Sequence, residues 1–212
     1  MNMKQNLLNR KFKYTYSNAT FYLIGVNILV YILTSMVWPK GVYYLSMIPT
    51  FVLNGYVYQV FTYMFVHSNF SHIFFNMLSL FIFGQALEKR LGTREFLLFY
   101  LLVGTLSGIF SFVSFLFLGQ NSILLGASGA VYGILLLFAV FFPFAKVYIF
   151  GLLPIRAPFL IVLFFIIELF SQASGFNGGV AHLTHLAGLL FGYLYCLIRM
   201  KINPIDVWKR TL

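Results

Sequence analysis

The sequence predicts an all-α membrane protein, a bundle of six transmembrane helices. Three observations predict it. Apolar residues make up 61% of the 212-residue chain and charged residues 8%, whereas soluble domains sit near ~45–50% and ~25%. Six apolar runs approach or exceed the roughly 17–25 helical residues needed to cross a hydrocarbon core about 30 Å thick. The basic residues between those runs are strongly one-sided. So few charges cannot cover a water-soluble surface, so the bilayer is the expected solvent. The net charge of +10 therefore reads as a topology signal, and no nucleic-acid partner is expected. Cys196 is the single cysteine, which excludes an internal disulfide.

The first run, 19–37, follows Lys4, Arg10, Lys11 and Lys13. It is longer than the apolar part of a signal peptide and no small-x-small cleavage pattern follows it, so it reads as an uncleaved span. The next runs are 71–87, 96–118 and 126–142. The fifth, 158–170, is the shortest, because Pro154 and Pro158 interrupt the helical pattern before it. The sixth is 181–199. This divides the chain into an N-terminal tail over 1–18, a six-span membrane domain over 19–199 and a C-terminal tail over 200–212.

With the N-tail inside, the inside segments hold Lys4, Arg10, Lys11, Lys13, Lys89, Arg90, Arg94, Lys146, Arg156, Arg199, Lys201, Lys209 and Arg210, and the outside segments hold only Lys40. Thirteen against one is the positive-inside bias, and it places both termini in the cytoplasm. The short N-tail suggests a minimal core of bacterial type, expected in a bacterial cell membrane. The first outer loop, about 38–70, is apolar and carries Tyr43, Tyr44, Tyr56, Tyr58 and Tyr63. Such a loop belongs at headgroup level. No internal repeat is evident, which weighs against inverted-repeat transporters.

Polar groups are costly in hydrocarbon, so their placement is informative. The four histidines, His67, His72, His182 and His185, fall near the outer ends of spans two and six, and Ser128 lies at the outer end of span four. Asn76 follows His72 by four residues and Tyr132 follows Ser128 by four, on the same helical faces. Residues of three spans thus converge at one depth.

The four carboxylates are Glu88, Glu95, Glu168 and Asp206. A single Asp rules out a two-aspartate site, and His67-Ser-Asn-Phe-Ser-His72 has no acid for a zinc-type His-Glu-x-x-His motif. Glu168 reads as satisfied or solvated near the outer end of span five, and the charged run at Glu88–Leu91 as a solvated helix end. No metal and no other cofactor is expected. Serine remains as nucleophile among proteolytic chemistries.

Ser128 sits in Gly126-Ala127-Ser128-Gly129, at a helix N-terminus whose free N–H groups could hold an oxyanion. A serine needs an adjacent base. His185 is the candidate: Gly188 and Gly192 lie on its face, matching Gly129 and Gly133 across from them. Paired small-xxx-small faces let two helices approach closely. His182, one turn away, lacks that spacing.

These motifs resemble the rhomboid family of intramembrane serine proteases: His67-x4-His72-x3-Asn76, Glu88-Lys89-Arg90-Leu91-Gly92, Gly126-Ala127-Ser128-Gly129 with Tyr132, and His185-x2-Gly188-x3-Gly192. The resemblance covers about 19–199. It implies a six-span bundle and an endopeptidase that cuts transmembrane substrates near the outer membrane face. It implies Ser128 as nucleophile and His185 as base. It further implies His72, Asn76 and the Ser128 N–H as oxyanion donors, and Tyr132 as the ring beneath the imidazole. No third, acidic member is implied. Substrates would enter laterally between spans two and five.

Two positions depart from the family pattern. Tyr58-Gln59 stands where Trp-Arg is frequent, which bears on how the outer loop is anchored, and Thr184 stands where Ala is frequent, which bears on packing. Two other functions fit parts of the pattern. One is a pseudoprotease that binds membrane helices without cutting; the other is a transporter or channel that binds a cation through the histidines. The intact dyad disfavours the first, and the lack of a carboxylate beside the histidines disfavours the second.

Overall fold

The structure, a computed structural model, describes residues 12–149, 152–174 and 180–209. Five helices are long and apolar enough to cross a membrane: α1 (Ala19–Val37), α5 (Phe70–Leu91), α6 (Thr93–Phe117), α8 (Ala157–Ser174) and α9 (His182–Met200). Between α1 and α5 run three short helices, α2 (Gly41–Leu45), α3 (Pro49–Leu53) and α4 (Gln59–Thr62). The shorter apolar helix α7 (Ser128–Phe141) carries the candidate serine. A two-stranded antiparallel hairpin, β1 (Lys146–Ile149) and β2 (Leu153–Arg156), joins α7 to α8, and α10 (Pro204–Lys209) follows α9.

Five helices thus reach spanning length, and the predicted run 126–142 is represented by the shorter α7. Helix α7 has 14 residues, which at 1.5 Å each covers only about 21 Å. It can be short because protein surrounds it. Ile134, Leu136, Leu137 and Ala139 are buried, and α6, α8 and α9 all pack on it. Non-helical backbone at membrane depth is tolerated where protein covers it. The approach to α7 is covered in this way: Met47 and Leu124 exchange backbone hydrogen bonds of 2.9 Å, and Gly126 N–H donates to Tyr63 O at 3.0 Å. By contrast, α1 and α8 bury little of their surface and expose Phe21, Leu29, Ile166 and Phe170. Helices apolar all round with outward faces like these suit lipid.

The hairpin was not anticipated by the all-α reading. The fifth run also extends further than its prolines suggested. Pro158 falls in the first turn of α8, where a missing N–H costs nothing, and Pro154 falls in β2.

Glu88 is a second correction, for it is fully buried rather than solvated. Its carboxylate accepts from Ala19 N–H (2.7 Å), Thr20 N–H (2.9 Å), Thr20 Oγ1 (2.8 Å) and Thr93 Oγ1 (2.6 Å). It satisfies the open donors at the start of α1 from the far end of α5. Removing it in Glu88→Ala strands those donors and is expected to cost about 2–4 kcal/mol. Thermal unfolding in detergent checks this; an unchanged melting temperature contradicts it. Gly92, at φ 84°, then turns the chain into α6, with Thr15 O 3.2 Å from where a Cβ would stand.

The short helices α2 to α4 are anchored by Gln59, one of the two departures. Its amide donates to Tyr43 O (2.9 Å) and Tyr44 O (3.0 Å) and accepts from Ile48 N–H (3.1 Å). Thr184, the other, shares a 2.7 Å hydrogen bond with Ser111 of α6. At the opposite end of the bundle Arg199 grips Glu95 with both arms, at 3.0 and 2.8 Å, and ties α9 to α6.

The tightest packing lies between α7 and α9. A Cβ on Gly188 would stand 2.1 Å from Gly129 O, and one on Gly192 would stand 3.2 Å from Gly133 Cα. Backbone therefore touches backbone where glycines face each other, and this contact sets the distance between Ser128 and His185.

Candidate active site

Ser128 is the first residue of α7, partly exposed, with the helix-end N–H groups around it. Its Oγ lies 2.8 Å from His185 Nε2. The Tyr132 ring stacks on the His185 imidazole, with centroids 4.2 Å apart and planes 7° from parallel. One helical turn of α7 therefore supplies both the hydroxyl and the surface the imidazole rests on.

His72 arrives from α5. Its own N–H is held by Asn69 Oδ1 at 2.8 Å, which starts the helix, and its Nδ1 lies 3.2 Å from Ser68 Oγ. Gly126 must be glycine for two reasons: its φ is 119°, and a Cβ there would stand 2.6 Å from His72 Nε2. The same point is 3.8 Å from Ser128 Oγ, so His72 and Ser128 flank one small space. Asn76 is buried, and its amide donates to His72 O at 2.8 Å, within its own helix. The described contacts link Asn76 to α5 rather than to Ser128.

His67 lies just before α5, beside the start of α7. It is buried, its Nε2 receives the Ala127 N–H at 3.4 Å, and its ring meets that of His72 at 5.0 Å. Burial first, and the neighbouring His72 second, push its imidazole down to about 4. A histidine held neutral in the fold but free to ionise when unfolded makes the unfolded state take up the extra proton as pH falls. Stability is then full above about pH 6.5 and is lost towards pH 4. The melting temperature of wild type should fall over that window, and less steeply in His67→Gln. Equal slopes would remove His67 as the source.

The reading of Glu168 as merely satisfied or solvated is replaced by a specific position. It is 4% exposed, and its carboxylate faces the histidines. His185 Nδ1 lies 2.9 Å from Oε1, His182 Nδ1 lies 2.5 Å from Oε2, and the Tyr132 hydroxyl donates a short hydrogen bond to Oε1. The premise that no carboxylate accompanies the histidines therefore does not hold. The ligand atoms of Glu168, His182 and His185 lie within 4.8 Å of one another, so this group could hold a metal ion.

Four helices thus meet here. The family-model comparison matches a rhomboid domain over residues 54–202, which includes every one of these site residues. The chain belongs to the rhomboid family. Among curated relatives, it is 32% identical over 118 residues to rhomboid-like protein 11, chloroplastic, of Arabidopsis thaliana, covering 56% of this chain and 40% of that protein. It is 29% identical over 192 residues to rhomboid protein 1, mitochondrial, of Saccharomyces cerevisiae, covering 87% of this chain and 54% of that one. It is 34% identical over 140 residues to rhomboid-type serine protease 2 of Emericella nidulans, covering 65% and 26%. The rhomboid chain described here therefore spans between about a quarter and about half of these relatives' lengths. Family and helices together make it a multi-pass integral membrane protein. Chloroplast and mitochondrial relatives mean that kinship does not single out a bacterial cell membrane.

Proposed function

We propose that this rhomboid is an intramembrane serine endopeptidase that cuts transmembrane substrates near the outer membrane face. The observation that carries the reading is the 2.8 Å contact between Ser128 Oγ and His185 Nε2. Ser128 attacks the scissile carbonyl while His185 takes the hydroxyl proton. His185 then gives that proton to the leaving amine, and water repeats the cycle on the acyl-enzyme. His72 and the Ser128 N–H stand where the carbonyl oxygen becomes negative, with Asn76 joining them once its amide turns from His72 O. Gly126 and Gly129 leave room for the substrate backbone.

The one-sided basic residues support a topology with both termini cytoplasmic and α7 as the sixth, protein-wrapped span. Substrate helices approach through lipid between α5 and α8. An active-site fluorophosphonate should label Ser128 in wild type and leave Ser128→Ala and His185→Ala unlabelled. Equal labelling of His185→Ala would remove the base. Loss of one oxyanion donor in Asn76→Ala should lower kcat by about 10²–10³; kcat unchanged would take Asn76 out of the mechanism.

One observation favours a second reading. The Glu168, His182 and His185 group would suit a cation-dependent protein, and activity abolished by a chelator and restored by a divalent metal would support it.

A further inference from the structure

We propose that Glu168 is a positioning carboxylate for His185, extending the serine–histidine pair to a serine–histidine–glutamate relay. The proposal rests on the reading of Ser128 and His185 as a catalytic dyad.

Glu168 is the one acidic residue in α8, a helix otherwise largely apolar. An acid there is costly unless partners surround it. Three donors do so: the Tyr132 hydroxyl and His185 Nδ1 on one oxygen, and His182 Nδ1 on the other. A carboxylate accepts and does not donate. His185 must therefore carry its proton on Nδ1, 2.9 Å from Glu168. Its Nε2 is left with a lone pair, 2.8 Å from Ser128 Oγ. That is the tautomer able to receive the serine proton.

The proton path then balances without a further participant. The Ser128 proton passes to Nε2 and from there to the leaving amine. The Nδ1 proton stays in place throughout, and Glu168 takes up no proton. While Nε2 is protonated the imidazolium lies against the carboxylate, which favours the charge where it develops. Tyr132 and His182 fix the carboxylate in turn. Tyr132 thus has two contacts with one purpose, its ring under the imidazole and its hydroxyl on the group that orients it.

The measurement compares wild type, Glu168→Gln and Glu168→Asp, purified and reconstituted in liposomes. In serine proteases a carboxylate-to-amide change at the residue that orients the histidine costs about 10⁴ in kcat. Stacking on Tyr132 gives His185 some independence here, so a loss of about 10²–10³ in kcat at nearly constant KM is expected for Glu168→Gln. Glu168→Asp should recover at least part of that loss. In protein labelled with ¹⁵N-histidine, the His185 Nδ1–H resonance should be strongly deshielded in wild type and move upfield in Glu168→Gln.

Several results overturn the proposal. A kcat in Glu168→Gln within about threefold of wild type removes the relay and leaves the dyad. A loss that follows the melting temperature downward, with no recovery in Glu168→Asp and no change in the Nδ1–H resonance, assigns Glu168 to structure. Chelator-sensitive cleavage by wild type assigns it to a metal site. Wild type that neither cleaves nor reacts with a fluorophosphonate removes the dyad, and the relay with it.

Discussion

Cleavage by His185→Ala is expected to fall by about 10⁴–10⁶ in kcat, as it does when a serine protease loses its base. A serine hydroxyl is a weak nucleophile at neutral pH, and the imidazole 2.8 Å away is the group placed to take its proton. No other histidine has a described hydrogen bond to Ser128. His67 is buried against Ala127, His72 faces the Gly126 turn from α5, and His182 is turned to Glu168. Substrate binding should persist, so KM should change little while kcat collapses. A steady-state assay with a single-span substrate measures both; a residual rate above about one per cent of wild type would mean that another group takes the proton.

The second large effect is expected from a change that touches no reacting atom. Gly188→Ala places a methyl group 2.1 Å from Gly129 O. Backbone stands on both sides, so neither partner can yield by rotating a side chain. Overpacking usually costs about 1–3 kcal/mol, and more where backbone must move. Gly129 follows Ser128 in sequence, and Gly188 lies three residues after His185. Separating the two helices therefore also separates the hydroxyl from the imidazole. A displacement of about 1 Å can cost on the order of 10² in rate. Gly188→Ala is thus expected to lower both the melting temperature and kcat, whereas Gly25→Ala, where nothing lies within 4 Å, should lower neither. A fully active Gly188→Ala would show that close approach of α7 and α9 does not set the site.

What the sequence made legible follows from the range over which each interaction is encoded. The positions of Ser128 and His185 are marked by neighbours three or four residues away. The glycines that bring them together share their helices, so periodicity and composition suffice. The apolar runs are legible for the same reason, because lipid imposes one length and one chemistry on every crossing segment.

Partnerships between distant segments leave no such mark. Glu88 reads locally as part of a charged helix end, and only the fold brings the start of α1, some 70 residues earlier, onto its carboxylate. Glu168 reads as a lone acid near a helix end, 17 residues before His185. The general cost of an ionisable group inside a span was the available signal that Glu168 has partners, and it names none of them. Gln59 could be seen to replace a more frequent residue, yet its three hydrogen bonds depend on how α2 to α4 fold back. The run at 126–142 marked α7 but not its protein-wrapped shortness, because an apolar run reveals its composition and not whether protein or lipid will surround it, and the β1–β2 hairpin was not anticipated.

Ser128 is expected to perform peptide-bond cleavage within the membrane. The most direct measurement is cleavage of a generic single-span substrate by purified protein in liposomes, wild type against Ser128→Ala, with folding checked by thermal unfolding and with chelator present. Cleavage by wild type that persists in chelator and disappears in a folded Ser128→Ala is the predicted result. Equal cleavage by the two proteins, or no cleavage by wild type while the substrate helix remains bound, would contradict it.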